Sequence, residues 1–180
     1  MRLVRALTAP VLVAFACTSG AAFAGDAACT WNKLPASVKA VGLEAGLEGG
    51  PAALGAAIGP VEMQRAEKAC GLTDANENAF HRAEAGYMLQ LLAEQWLSLH
   101  ANLSPEQLSS AWVKMPRGDK APMMAWAASL EHNPVGYDKP YLGFLKALAV
   151  AESKLPEDTK PKVLTYLQGR SLRALFESKY

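Results

Sequence analysis

Residues 74–116 read DANENAFHRAEAGYMLQLLAEQWLSLHANLSPEQLSSAWVKMP, and the spacing within them decides the fold. No proline interrupts Asp74 to Asn102. Ala85, Met88, Leu89, Leu92, Trp96, Leu99 and Leu103 fall within about 60° of one direction at helical periodicity. A helix over about residues 74–102 is therefore expected, capped at its start by Thr73 or Asp74. Ser104-Pro105-Glu106-Gln107 then marks a second start, with Ser104 as cap, Pro105 at the first helical position and Gln107 able to close a capping box. That helix carries Leu108, Ala111, Trp112 and Met115, and Pro116 ends it.

Downstream, Asp119-Lys120-Ala121-Pro122 and Asp138-Lys139-Pro140 repeat the pattern of a capping acid with a proline in the first turn. The first predicted helix bears Met123, Trp126, Ala127 and Leu130 and stops at Asn133-Pro134. The second bears Tyr141, Phe144, Leu145 and Leu148 and stops before Pro156. A last helix over about 159–178 carries Leu164, Leu167 and Leu175. Upstream, Pro35 to Leu47 reads as a helix with a ragged inner face of Val38, Val41, Leu43 and Leu47, broken by Gly49-Gly50-Pro51. A short alanine and glycine segment follows, in which Gly55 and Gly59 suit close packing. Pro60 to Cys70 reads as a further helix, ended by Gly71. Period-two alternation is nearly absent, and the common loops are short. The reading is an all-α, compact single-domain bundle of six to seven helices, or a stack of helical hairpins, with one disulfide. Only the start signals recur, so no solenoid repeat of about 33–45 residues is implied.

The front of the chain carries a different message. Arg2 and Arg5 precede an apolar run from Ala6 to Ala16, then Cys17-Thr18-Ser19-Gly20 leads to Ala22-Phe23-Ala24. That order is a secretory signal, residues 1–24, with cleavage before Gly25; the helical domain is then 25–180. Lipoprotein processing at Cys17 is the weaker reading, because Phe15 next to Ala16 fits a lipobox poorly. The short, alanine-rich signal points to the periplasm of a bacterium, or to secretion.

Removing residues 1–24 takes away two arginines and no acidic side chain, leaving 16 basic against 17 acidic groups and a net charge of −1. A near-neutral chain has no general attraction to nucleic acid or anionic lipid, and no later stretch reaches transmembrane length. Cys29 and Cys70 remain, and an even pair in an oxidising compartment reads as a disulfide. The pair lacks the C-x-x-C spacing of a redox couple.

Chemistry is announced mostly by absences. No G-x-S-x-G elbow, H-E-x-x-H, C-x-x-C-H, phosphate loop or dinucleotide fingerprint occurs. No cofactor is therefore implied. Glu77, His81 and Glu84 share one side of the central helix at i, i+4 and i+7, a composition suited to metal binding or proton transfer. A di-metal bundle would need matching residues on other helices, and none are evident, so a histidine held by its neighbouring carboxylates is the plainer reading. His100 and His132 read as helix C-terminal caps. Lys162, Tyr166, Arg170 and Arg173 form a stripe on the last helix, read either as a face for an acidic partner or as an ordinary solvated surface. Trp96, Trp112 and Trp126 read as core, or as the lining of an apolar pocket. The resulting expectation is a non-enzymatic envelope module that contacts another protein or holds a small apolar ligand; a metal-binding protein or enzyme built on Glu77, His81 and Glu84 is the alternative.

Overall fold

The computed structural model describes residues 26–129 and 137–179. Among them are eight α-helices: α1 (Cys29–Lys33), α2 (Ala36–Ile58), α3 (Pro60–Ala69), α4 (Glu77–Ala101), α5 (Pro105–Lys114), α6 (Arg117–Ser129), α7 (Asp138–Leu148) and α8 (Thr159–Phe176). Two 3₁₀ turns, Glu152–Lys154 and Glu177–Lys179, complete the secondary structure, and no strand occurs among the described residues. The all-α reading holds. The short α1 adds one helix to the expected number; five residues carry too little periodicity to announce themselves.

Local signals act as the sequence suggests at several places. Ser104 Oγ accepts from the Gln107 backbone N–H at 3.3 Å, and Gln107 Oε1 accepts from the Ser104 N–H at 2.8 Å, closing the capping box at the start of α5. Asn102 ends α4 in the left-handed conformation, and His100 Nδ1 donates to the Trp96 carbonyl at 3.0 Å, satisfying one carbonyl of the last turn. At the start of α4 the outcome differs. The helix begins at Glu77, and neither Thr73 nor Asp74 caps it. Asn76 instead turns its side chain backward, accepting from the Thr73 N–H and donating to the Gly71 carbonyl. Leu130, the Asn133-Pro134 stop and His132 lie outside the described residues, as does the whole signal segment.

Gly50 breaks α2 with φ 79° and ψ −170°, a conformation that only glycine adopts without strain. The two halves fold back on each other. A methyl group at Gly42 would stand 2.9 Å from Ile58, and one at Gly46 would stand 2.9 Å from Leu54, pairs placed symmetrically about the break. Close packing thus falls on Gly42 and Gly46. Gly55 has open space around it, and Gly59 serves as the positive-φ joint to α3.

The centre of the molecule is an antiparallel pair, α4 and α8. Arg82 lies over Phe176, Arg173 hydrogen-bonds Gln90, and Lys162 lies over Trp96, so one helix ascends as the other descends. Their closest approach is glycine on glycine. A methyl group at Gly86 would stand 2.8 Å from the Gly169 carbonyl oxygen, and one at Gly169 would stand 2.5 Å from that of Gly86. Around the C-terminal half of α4, the helices α5, α6 and α7 bury Leu108, Trp112, Met123 and Phe144 against Leu97 and Leu167. Around its N-terminal half, α1, α2 and α3 bury Trp31, Leu54, Ile58 and Ala66 against Met88 and Leu92. The bridge between Cys29 and Cys70, with Cα atoms 5.8 Å apart, ties the start of α1 to the end of α3 and closes this second layer.

Being covered on two sides, α4 buries Met88 and Leu92 of the stripe that its periodicity suggested, but also residues outside that stripe. Phe80, Ala83, Glu84, Gly86, Gln90, Ala93 and Leu97 are buried, whereas Ala85 is exposed and Leu99 is 67% exposed.

Candidate functional site

Three acidic or basic side chains meet where the last turn of α3 faces the first turns of α4. His81 Nδ1 lies 3.5 Å from Glu84 Oε2 and 3.7 Å from Glu67 Oε1. One ligand atom from each of Glu67, His81 and Glu84 lies within 4.8 Å of the others. Glu77, grouped with His81 and Glu84 on sequence grounds, stands on the other side of the ring: its Oε1 is 3.9 Å from Nε2, and its side chain is 65% exposed. The cluster therefore exchanges Glu77 for Glu67. Helical spacing within α4 finds only neighbours on α4, and Glu67 arrives from α3. The bridge was the available signal, since Glu67 precedes Cys70 by one helical turn and Thr30 follows Cys29 directly. The bridge sets both beside Glu84.

Glu84 is 7% exposed. Burial pushes its carboxyl above the ordinary carboxylate range; the Thr30 hydroxyl opposes the rise, the Glu67 carboxylate adds to it, and His81 pulls it down. Although Thr30 lies close enough to favour the charged form, no hydrogen bond of good geometry reaches Oε1, which is buried without a partner. Glu67 is also largely withdrawn from solvent, its side chain 13% exposed. Among the described residues no lysine or arginine pairs with either carboxylate.

The cluster stands at one end of a cleft of about 310 Å³ between the second half of α2, α3 and α4. Leu54, Met63, Met88 and Leu89 make its walls, and His81 and Glu84 supply its polar end. A wider hollow of about 400 Å³ flanks the other side of His81, but its lining comes almost wholly from one face of α4. A single helix face offers a ligand one wall, so the interhelical cleft is the better-formed site.

The basic stripe of α8 is not a solvated face. Tyr166 is fully buried, with its ring 5.4 Å from that of Phe144. Lys162 lies over Trp96, Arg170 over Trp112 and Arg173 over Tyr87, at 5.6, 5.8 and 5.2 Å from the ring centroids. Arg173 also donates to Gln90 Oε1 at 2.8 Å and pairs with Glu177 at 2.7 Å. Glu177 in turn accepts from the Ala27 N–H, joining the two ends of the domain. These long side chains lay their stems and charges on aromatic faces of the same chain. Of the tryptophans, Trp112 is buried, Trp96 stacks on His100 and Trp126 packs partly buried; none lines the α2–α3–α4 cleft.

Comparison of the chain with models of known protein families, with curated proteins and with solved structures finds no match.

Proposed function

We propose that the chain is exported to the bacterial periplasm and works there as a non-enzymatic binding module, holding a small molecule in the cleft between α2, α3 and α4. The ligand has an apolar body, packed on Leu54, Met63, Met88 and Leu89, and a polar head that meets His81 and Glu84. The observation that carries this reading is an otherwise apolar interhelical cleft bordered by the paired polar side chains of His81 and Glu84. An apolar pocket with a few convergent polar groups is the usual design of a ligand site, and its volume falls at the small end of the usual range of about 300–1,000 Å³. Export rests on the charged, apolar and small-residue order of residues 1–24 and agrees with a cysteine pair in bonding geometry. Docking to an envelope protein through Lys162, Tyr166, Arg170 and Arg173 has less support, because those side chains are engaged within the chain.

N-phenyl-1-naphthylamine, an apolar fluorophore with one N–H, tests the reading. Saturable binding at one site per chain is expected, weakened at least tenfold in Gly55→Leu. Gly55 borders the cleft and a Cβ there meets nothing within 4 Å, so a leucine has room to start there and is expected to occupy part of the cleft. Absence of saturable binding, or equal binding by a folded Gly55→Leu protein, overturns the proposal.

A further inference from the structure

The geometry points to a divalent transition-metal site formed by Glu67, His81 and Glu84 at the polar end of the cleft. The first argument is spacing. Direct hydrogen bonds hold their heavy atoms about 2.7–3.2 Å apart, whereas His81 Nδ1 stands 3.5 and 3.7 Å from the two carboxylate oxygens. Donors bound to one ion at about 2.0–2.2 Å in a tetrahedral array are separated from each other by about 3.3–3.6 Å. Nδ1 thus makes a long hydrogen bond to Glu84 and a longer contact to Glu67, both at separations close to those of donors sharing an ion, and the three ligand atoms lie within 4.8 Å of one another.

Charge is the second argument. Two carboxylates, one 7% exposed and one with its side chain 13% exposed, face each other with only a histidine between them. Buried charge of one sign without a counter-charge is costly, and a divalent cation compensates both carboxylates at once. The third argument is the partnerless oxygen. Glu84 Oε1 is withdrawn from water and accepts no hydrogen bond, although its sister oxygen already faces His81. A metal bond supplies what the protein does not.

Glu77 fits as a positioning residue. Its Oε1 stands 3.9 Å from Nε2 on the far side of the ring, beyond direct hydrogen-bond reach, so it acts on the ring by its charge and favours Nδ1 as the metal-facing nitrogen once it closes on Nε2. Three protein donors leave a fourth position open, and His81 and Glu84 border the cleft. One nitrogen and two oxygens suit a borderline first-row ion such as Zn²⁺. The site goes beyond the ligand reading and rests on it only for what fills the open position.

Titration of the chelator-stripped mature protein with Zn²⁺ by calorimetry provides the test. One ion per chain is expected, with affinity reduced at least 100-fold by Glu84→Gln and by His81→Ala, and by about tenfold in Glu77→Gln. Glu67→Gln, in a partly exposed helix, guards against a variant that merely unfolds and is also expected to lose at least tenfold. Gly55→Leu is expected to bind Zn²⁺ as the native chain does. In the native chain, Zn²⁺ binding without saturable dye binding therefore counts against the cleft alone, and saturable dye binding without Zn²⁺ binding counts against the metal site alone. No stoichiometric binding tighter than about 100 μM, or binding unchanged in both Glu67→Gln and Glu84→Gln, overturns the inference.

Discussion

Gly169 sits where α8 crosses α4, and a methyl group there would stand 2.5 Å from the Gly86 carbonyl oxygen and 2.6 Å from the Gln90 nitrogen. Both are backbone atoms inside a helix, so neither moves without separating the pair. Gly169→Ala is expected to cost about 3 kcal/mol by urea denaturation, as overpacking in a tight contact does. Gly118→Ala, with nothing within 4 Å, is expected to change stability by less than about 0.5 kcal/mol. Equal effects from the two would contradict the close crossing. Glu94 supplies a test by pH. Burial raises its carboxyl pKa, with Gln90, Arg170 and Arg173 opposing. A carboxyl whose folded pKa lies above its unfolded value favours folding fully below the unfolded value, and that contribution is lost as pH rises through the folded one. Glu94→Gln keeps an acceptor for Gln90 Nε2, now 2.6 Å from Glu94 Oε1. The variant is therefore expected to be the more stable protein at neutral pH and to lose that advantage in acid, below the ordinary glutamate pKa of about 4.3. Urea midpoints in both conditions check it; an advantage that grows on acidification would reverse the assigned direction.

At the scale of elements, local chemistry was legible and partnership was not. The capping box at Ser104 and the break at Gly50 are written in three or four adjacent residues each, so the sequence reading finds them. The inner face of α4 depends on what covers it. Neighbours lie on both sides, so Leu99, aligned with the apolar stripe, ends exposed, while Gly86 and Gln90 are buried. Tyr166 and the basic residues of α8 misled for the same reason, since aromatic faces on other helices receive them. Glu67 was invisible to helical spacing because it belongs to another element, and only the cysteine pair links it to Thr30 and Glu84. That link is testable. The bridge closes a loop of 42 residues, and its removal in the double variant Cys29→Ser, Cys70→Ser is expected to cost about 4 kcal/mol on chain entropy. Thermal unfolding measures the loss. A variant as stable as the native chain would mean that the layer of α1, α2 and α3 is held by its apolar contacts alone.

Across the whole molecule, α4 divides its length between two tasks. Its C-terminal half, with α8, anchors the larger core around Leu97, Met123, Phe144 and Tyr166. Its N-terminal half meets the layer of α1, α2 and α3, where glycines draw the folded-back α2 onto Leu92 and the bridge fixes the end of α3. The cleft and the donor cluster lie in that second layer, on the stapled side of the fold. The account stands or falls on whether this layer holds Glu67 against His81 and Glu84. A crystal structure of residues 25–180 grown with Zn²⁺, with anomalous data at the zinc edge, tests that arrangement directly. The account predicts one strong peak bonded at about 2.0–2.2 Å to Glu67, His81 Nδ1 and Glu84. A zinc peak elsewhere on the chain, or no peak with Glu67 turned out to solvent, would contradict it.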